Sequence, residues 1–362
     1  MTSSKDKINQ WVRPELRALQ AYHVPEAGDL IKLDAMENPY RWPQWLVDAW
    51  LEELRGTVLN RYPDPAADAL KTRLRTVLDV PGDCSTVLGN GSDELIQMII
   101  QTVASPGRVI MAPEPTFVMY RQIAVVTGLV WSGVPLLEDF SINADAMIDA
   151  IETQQPAVVF LAYPNNPTGN LFDRAVIEAI LSQAPGLVVV DEAYAPFTDE
   201  SFMCQLPVYD NLLVLRTLSK MGFAGLRLGL LAGASDWLAE IEKTRLPYNI
   251  STLNQQTGEF ALRYYEVFAG QANTLRSQRD ALSEQLKRVP GLTVYPSEAN
   301  FILFRVPRGQ GQAIHEGLKT CGILIKNLDG SAPALSDCLR VTVGKPEENA
   351  AFIAALNEVV TS

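Results

Sequence analysis

Short, continuous runs of β-branched and other apolar residues constrain the fold of this chain most strongly. The run at 187–190 reads Leu-Val-Val-Val and has no polar position, as expected for a strand buried on both faces of a sheet. Such runs alternate with stretches whose apolar residues recur at helical spacing, which predicts a doubly wound, mostly parallel α/β sheet. The predicted strands of this sheet are 86–88, 108–112, 130–134, 158–162, 187–190, 212–215 and 228–232.

After about residue 250 the pattern changes to that of a smaller α+β domain. Two helices are predicted at 252–269 and 273–288, and a last helix begins near Pro346. Between them the sequence predicts short strands at 292–295, 301–305, 323–326 and 339–343, with a helix at 310–320. We therefore expect an N-terminal arm (1–45) that packs with the small domain, a large domain (46–270) and a small C-terminal domain (271–362).

Composition excludes several classes of function. The chain has 362 residues and a net charge of −12, which argues against nucleic acid as a partner because phosphate binding requires a basic face. No uncharged apolar run approaches the length of a membrane span, and no apolar segment follows the N-terminal residues as in a signal peptide. Four dispersed cysteines and two histidines do not form a zinc motif. We expect a cytoplasmic protein without a metal.

Lys220 is the first candidate for chemistry. It follows the 212–215 strand directly after Ser219, and Arg227 comes a few residues later. A lysine delivered by an apolar strand, with a hydroxyl and a cation nearby, suits a nucleophilic amine held next to a bound phosphate. Enzymes that use pyridoxal 5'-phosphate (PLP) need that arrangement, because their cofactor is an aldehyde on a phosphate handle. A strand that simply meets solvent is the ordinary alternative.

Polar residues at other strand ends supply candidate partners for Lys220. Asp191 and Tyr194 follow the 187–190 strand, and Asn166 lies in an Asn-Pro-Thr-Gly turn after the 158–162 strand. Ligands of open α/β sheets bind at the carboxyl ends of the strands. An aspartate there can keep a pyridine nitrogen protonated, while a phenol and an amide can contact the ring oxygen. The alternative is that the same residues have only structural roles, in capping helices and forming turns.

A glycine turn and two further side chains complete the candidate set. Gly91, Ser92 and Asp93 join the first predicted strand to a helix, whose N-terminus favours phosphate, although neither a dinucleotide fingerprint nor a P-loop is present. Arg340 lies in a predicted strand that can present its guanidinium for bidentate binding of an anion. Tyr120, on a helix, is a candidate for stacking on a planar cofactor.

These motifs, taken in order, resemble the fold type I PLP-dependent aminotransferases, specifically the class II subfamily with the histidinol-phosphate aminotransferases. The resemblance runs nearly from end to end. It rests on the segments Glu-Asn-Pro at 37–39, Asn-Arg-Tyr-Pro-Asp at 60–64, Gly-Ser-Asp-Glu at 91–94, Asn-Asn-Pro-Thr-Gly at 165–169, Asp-Glu-Ala-Tyr at 191–194, Ser-Lys at 219–220, Gly-Leu-Arg-Leu-Gly at 225–229, Asn-Phe at 300–301 and Cys-Leu-Arg-Val-Thr-Val-Gly at 338–344. It implies an α/β fold with a large, mostly parallel sheet domain and a smaller α+β domain.

The resemblance also implies a role for each site residue. Lys220 would bind the cofactor covalently and then shuttle a proton. Asp191 would pair with the pyridine nitrogen. The other implied cofactor contacts are Asn166 and Tyr194 at the ring oxygen, Tyr120 on the ring face, and Ser92, Asp93, Ser219, Arg227 and Tyr62 at the phosphate. Tyr62 would come from the partner subunit of a homodimer. The implied substrate contacts are Arg340, Lys326, Tyr22 and Asn38.

Two positions depart from the family pattern. Six residues separate Lys220 from Arg227, where many relatives have seven. Lys326 stands where many relatives carry a second arginine for the substrate phosphate, and lysine supplies a point charge without a bidentate fork.

The implied reaction converts imidazole-acetol phosphate and glutamate into histidinol phosphate and 2-oxoglutarate in histidine biosynthesis. One alternative function is that of an aromatic amino-acid aminotransferase, which has the same fold and a different substrate. A second alternative is a PLP-dependent decarboxylase of a phosphorylated amino acid, which catalyses a different reaction. A regulator with an aminotransferase-like sensor domain is disfavoured, because no basic DNA-binding segment is attached.

Overall fold

A seven-stranded sheet forms the centre of the protein. The computed structural model describes residues 3–21 and 26–361. Its first two strands are β1 (Ile31–Leu33), which lies outside this sheet, and β2 (Ser85–Asn90). The remaining strands of the sheet are β3 (Val109–Glu114), β4 (Val130–Pro135), β5 (Val158–Ala162), β6 (Leu187–Asp191), β7 (Leu212–Thr217) and β8 (Leu228–Gly233). All seven predicted strands of the large sheet are therefore confirmed.

The strand order is β2-β8-β7-β6-β5-β3-β4. Neighbours from β7 to β4 pair in parallel, whereas β8 is antiparallel to both β2 and β7. Every residue of β5 and β6 is buried, which explains why these strands read as unbroken apolar runs. Because β5, β6 and β7 are parallel, their carboxyl ends meet at one edge of the sheet.

Helices cover both faces of this sheet. Successive residues of β5 belong to different apolar clusters, with Val159 and Leu161 in one and Val158 and Phe160 in the other, as the alternation of a strand requires. The helices that precede residue 250 are α1 (Ser4–Trp11), α2 (Pro14–Arg17), α3 (Gln44–Leu54), α4 (Asp68–Val77), α5 (Ser92–Thr102), α6 (Val118–Thr127), α7 (Ala144–Gln154), α8 (Arg174–Gln183) and α9 (Ser235–Glu242). None of them, nor any later helix in the described part of the chain, is long and apolar enough to cross a membrane.

A second sheet of five strands lies at the C-terminal part of the chain. Its later strands are β9 (Thr293–Val294), β10 (Phe301–Arg305), β11 (Ile323–Asn327) and β12 (Cys338–Thr342), and its order is β1-β11-β12-β10-β9. The short β1 pairs in parallel with β11. The N-terminal segment thus supplies an edge strand that the sequence pattern did not predict, because three residues carry too little periodicity.

The remaining helices are α10 (Thr252–Arg263), α11 (Tyr265–Leu286), α12 (Gly311–Thr320) and α13 (Pro346–Thr361). For α10 and α11 the sequence predicts helices at 252–269 and 273–288, and the predicted boundary between these two helices is wrong. The helices meet at Tyr264, whose φ of −112° and ψ of 32° interrupt the α conformation. Residue 270, the expected end of the large domain, lies inside α11, so the division into domains stays a prediction.

Candidate active site

The polar residues at the carboxyl ends of β5, β6 and β7 line one cavity of about 110 Å³. Asn166 follows β5, Asp191 is the last residue of β6, and Lys220 follows β7 in a short 3-10 turn. The structure therefore brings together the three strand ends that the sequence singled out. The other lining residues are Met36, Ser92, Asp93, Phe117, Tyr120, Ala162, Pro164, Ala193, Tyr194, Thr217, Ser219 and Arg227.

Lys220 occupies an environment that disfavours its ammonium form. Burial lowers the pKa of Lys220 to about 8, with a further contribution from the positive charge of Arg340, while Glu37 and Asp93 oppose the shift. The amine lies 5.5 Å from the centre of the Tyr194 ring. A larger share of this amine is therefore neutral near physiological pH than for an exposed lysine, as a nucleophile requires.

Asp191 is a buried carboxylate that is 4% exposed. Its Oδ2 accepts a hydrogen bond of 2.6 Å from the Tyr120 hydroxyl, and its Oδ1 accepts one of 3.1 Å from the backbone N–H of Ala193. Burial raises the pKa of Asp191 to about 6, although these two hydrogen bonds act in the opposite direction. The side chain is therefore still mostly ionised at neutral pH.

Asn166 links Tyr194, which lines the cavity, to Arg340 of β12. Its Nδ2 donates to the Tyr194 hydroxyl at 3.1 Å, and its Oδ1 accepts from the Arg340 guanidinium at 2.5 Å. Arg340 also donates to the backbone carbonyl of Asp34 at 3.1 Å and lies over the ring of Phe301. Since Arg340 is on β12, this network joins the five-stranded sheet to the strand ends of the larger one.

A glycine-lined turn beside the N-terminus of α5 forms an anion cradle. Gly91 precedes α5 with a φ of +88° and provides no side-chain cap, so the first N–H groups of the helix can face a ligand. A Cβ on Gly91 would lie 2.4 Å from Nη2 of Arg227, and one on Gly229 would lie 2.8 Å from the Gly91 carbonyl carbon. Only glycine permits this close approach of backbone and guanidinium.

Arg227 and Ser219 both line the cavity. Arg227 forms a 3.2 Å ion pair with Asp93 and is partly exposed, so the six-residue loop after Lys220 is long enough to bring it there. The backbone N–H of Ser219 donates to the Thr217 hydroxyl at 3.2 Å, and the two hydroxyls are 3.0 Å apart. Thr217, which the sequence analysis did not select, thereby fixes the turn that carries Lys220.

The placement of Tyr120 differs from the expected stacking position. Its ring is fully buried and stacks on Phe160 at 4.6 Å, and its hydroxyl is committed to Asp191. Phe117 lines the same cavity and, unlike Tyr120, is only partly buried. It packs at right angles to Tyr120. The ring available to a planar ligand is thus that of Phe117, and an aromatic residue immediately before a helix was the sequence signal for it.

Lys326 and Asn38 are not among the residues that line the cavity. Lys326 of β11 lies directly opposite Arg340 of β12 in the antiparallel pair. Asn38 donates to the Gln271 side chain at 3.1 Å and touches the turn at Gly222.

Tyr62 and Tyr22 are the last two residues that the resemblance implies as contacts of the cofactor and the substrate. Tyr62 is 79% exposed and stacks on Tyr248 away from the cavity. Tyr22 lies outside the described residues.

Comparison with known proteins assigns the chain to a family. A model of the family described as aminotransferase class I and II matches residues 28–356. The chain belongs to this family. Its sequence is 57% identical to that of histidinol-phosphate aminotransferase 2 of Nitrosococcus oceani, with 98% of each chain covered. It is 50% identical to the histidinol-phosphate aminotransferase of Chromobacterium violaceum, with 96% of this chain and 98% of the relative covered.

Two solved structures share the architecture of this chain. The histidinol-phosphate aminotransferase from Sinorhizobium meliloti, solved in complex with PLP, superposes with a TM-score of 0.87 over 97% of this chain and 98% of its own, at 22% identity. The L-threonine-O-3-phosphate decarboxylase from Porphyromonas gingivalis gives a TM-score of 0.75 over 91% and 99%, also at 22% identity. At these identities the likeness concerns the fold alone, and it confirms the expected fold type I architecture.

Proposed function

We propose that the protein is a PLP-dependent aminotransferase that exchanges the amino group between L-histidinol phosphate and 2-oxoglutarate, a step of histidine biosynthesis. The observation that carries the substrate class is the pair of cations Arg340 and Lys326, which stand opposite each other on β12 and β11. Directly opposed residues of an antiparallel pair project to the same face. Two cations on one face suit a phosphate dianion, and the names of the full-length relatives supply its identity.

The residues of the cavity fit PLP. The cradle of Gly91, Gly229 and Arg227 is closed to any added Cβ, so it suits a ligand that approaches backbone N–H groups closely, as a phosphate does. Ser92, Asp93 and Ser219 border the same cavity. We assign the phosphate to this end, the pyridine nitrogen to Asp191, and the ring oxygen to Asn166 and Tyr194. Phe117 covers the ring.

Each side chain then has a defined task. When bound, PLP supplies an electron-withdrawing ring that stabilises negative charge on the carbon next to the substrate nitrogen. Asp191, held ionised, favours the protonated form of the ring nitrogen. Lys220 would hold the cofactor through Nζ, and as a free, neutral amine it would accept a proton from the substrate carbon and give it back within the same half-reaction.

Arg340 serves the two half-reactions in turn. Its buried guanidinium is oriented by Asn166 and the Asp34 carbonyl, so its position is fixed before the substrate arrives. We assign it the carboxylate of glutamate in one half-reaction and the phosphate of histidinol phosphate in the other, since both are planar or multidentate acceptors for a guanidinium. Lys326 adds charge for the phosphate.

The proposal includes a homodimer in which Tyr62 reaches the phosphate of the partner's cofactor. The support is that Tyr62 is 79% exposed, stacks on Tyr248 and lines a surface depression together with the exposed residues Leu59 and Leu253. Exposed apolar clusters of this kind mark interaction surfaces. A cytoplasmic location, which four free cysteines favour, and the three-part domain division also belong to the proposal.

A competition assay tests the proposed substrate. Purified enzyme loaded with PLP is given equal concentrations of histidinol phosphate and phenylalanine with 2-oxoglutarate, and both products are quantified. The proposal expects a kcat/KM for histidinol phosphate at least about 100-fold higher, because a phosphate that pairs with two cations contributes charge-assisted hydrogen bonds that phenylalanine lacks. Preference for phenylalanine would identify an aromatic aminotransferase instead. Carbon dioxide release without an amino acceptor would identify a decarboxylase.

A further inference from the structure

The buried phenol of Tyr120 makes an interaction with no place in the cofactor contacts assigned above. Its hydroxyl donates to Oδ2 of Asp191 at 2.6 Å. The ring is fully buried, stacked on Phe160 at an interplanar angle of 10°, with Phe117 packed across it at 82°. Close packing of the ring on two sides restricts its rotation, which favours the hydrogen bond to the carboxylate.

The carboxylate of Asp191 is consequently held at both oxygens. Oδ2 accepts from Tyr120, and Oδ1 accepts from the N–H of Ala193. These two donors come from different elements, because Tyr120 is on α6 and Ala193 follows β6. A side chain hydrogen-bonded at both oxygens is restricted to one rotamer, and Asp191 in this rotamer lines the cavity.

The charges around Tyr120 and Asp191 make the hydrogen bond between them important for the ionisation of Asp191. Burial raises the pKa of Asp191, and the negative charges of Asp93 on α5 and of neighbouring Glu192 raise it further. The hydrogen bonds from Tyr120 and Ala193 act against them. Burial and the Asp191 charge also raise the pKa of Tyr120 well above its ordinary value, so the phenol keeps its proton and remains a donor. Tyr194, Lys220 and Arg227 are the other ionisable side chains that line the cavity with Asp191.

We infer that Tyr120 is a positioning residue of the reaction, whose hydroxyl fixes the rotamer of Asp191 and keeps that carboxylate ionised toward the ring nitrogen of the cofactor. The inference rests on the proposed function for the part that concerns the cofactor. The hydrogen bond and its effect on Asp191 belong to the chain itself. They are measurable without substrate or cofactor.

The direct test titrates Asp191 in the cofactor-free enzyme. Protein labelled with ¹³C at the aspartate carboxyl is titrated by NMR, and the signal of Asp191 is assigned by its absence in Asp191→Asn. The wild type is expected to titrate near pH 6. In Tyr120→Phe the midpoint is expected to rise by about one to two pH units, the range for loss of a hydrogen bond to an ionised group. A midpoint within about 0.3 units of the wild type would overturn the inference.

Matched variants separate positioning from general damage to the core. Tyr163→Phe removes another buried phenol hydroxyl, from a ring that packs on Phe202, and is expected to leave the Asp191 midpoint unchanged. An equal shift in this control would also overturn the inference. If circular dichroism shows that Tyr120→Phe does not fold, Phe160→Leu is used in its place. This variant keeps the Tyr120 hydroxyl but loosens the packing of the Tyr120 ring, so a smaller upward shift of the Asp191 midpoint is expected. No shift in a folded Phe160→Leu would then count against the inference.

The loaded enzyme gives an independent readout. In Tyr120→Phe we expect the dissociation constant of PLP to rise about tenfold and kcat to fall about tenfold, with the KM for glutamate nearly unchanged, because the substrate contacts are intact. A KM that rises while kcat is unchanged would contradict the positioning role. Absence of turnover on histidinol phosphate in the wild type would refute the proposed function and leave the titration result standing.

Discussion

The lowered pKa of Lys220 predicts a specific dependence of its reactivity on pH. Burial, together with the positive charge of Arg340, lowers the pKa of Lys220 from 10.5 to about 8. At pH 7 about a tenth of the amines are then neutral, roughly 300 times the fraction of an ordinary lysine. Since the folded pKa is lowered, the neutral form appears as the pH rises through 8 and is nearly complete before an unperturbed lysine begins to react.

Competitive labelling measures this directly on the cofactor-free protein. The enzyme is treated with limiting acetic anhydride between pH 6 and pH 11, and the modified Lys220 peptide is quantified by mass spectrometry. The same peptide in the denatured chain is the reference, because it carries the same lysine without its folded environment. We expect a midpoint near pH 8 in the folded protein. Coincident midpoints in the folded and denatured chains would refute the reasoning.

Variants of Arg340 test the electrostatic part of the argument. Arg340→Gln removes a positive charge that lowers the pKa of Lys220, so the labelling midpoint is expected to move upward. It is expected to stay below 10.5 because burial, the larger cause, remains. Arg340→Lys retains the charge and is the matched control, with a midpoint near that of the wild type. A midpoint in Arg340→Gln that equals or falls below the wild-type value would contradict the account.

Two further predictions concern the phosphate end of the site and the assembly. Gly91→Ala places a Cβ 2.4 Å from the Arg227 guanidinium at a φ of +88°, so the dissociation constant of PLP is expected to rise at least about tenfold. Gly225→Ala, where nothing lies within 4 Å, is the control, and equal affinities for PLP in the two variants would rule out the cradle. If Tyr62 acts across a dimer, mixing inactive Lys220→Ala with inactive Tyr62→Ala restores about a quarter of wild-type activity, since half of the dimers are hybrids with one intact site. No recovery after verified subunit exchange would place Tyr62 in its own subunit's site or outside any site.

Much of the fold and of the site could be predicted because the strands of the large sheet are buried on both faces. Asp191, Asn166 and Lys220 stand at the ends of such strands, so their convergence follows from parallel pairing. The position of the break at Tyr264 could not be predicted, because the polar and apolar spacing continues through α10 and α11 without a proline.

Tertiary contacts decide the features that sequence spacing left open. Tyr120 and Phe117 are both aromatic and three residues apart, yet Tyr120 is fully buried by its packing against Phe160 whereas Phe117 stays partly exposed. Likewise β1 is too short to be recognised alone and forms because β11 offers an edge. The hydrogen bond from Tyr120 to Asp191 joins residues 71 positions apart. No local pattern carries it.

The central claim is amino transfer from histidinol phosphate through Lys220. The most direct measurement is a single turnover of the PLP-loaded enzyme, followed by the absorbance of the bound cofactor. Histidinol phosphate without an acceptor is expected to convert the cofactor to its amino form, and 2-oxoglutarate is expected to restore the original spectrum with formation of glutamate. Lys220→Ala is expected to show no such cycle. An unchanged spectrum on histidinol phosphate, with conversion by phenylalanine under the same conditions, would contradict the claim.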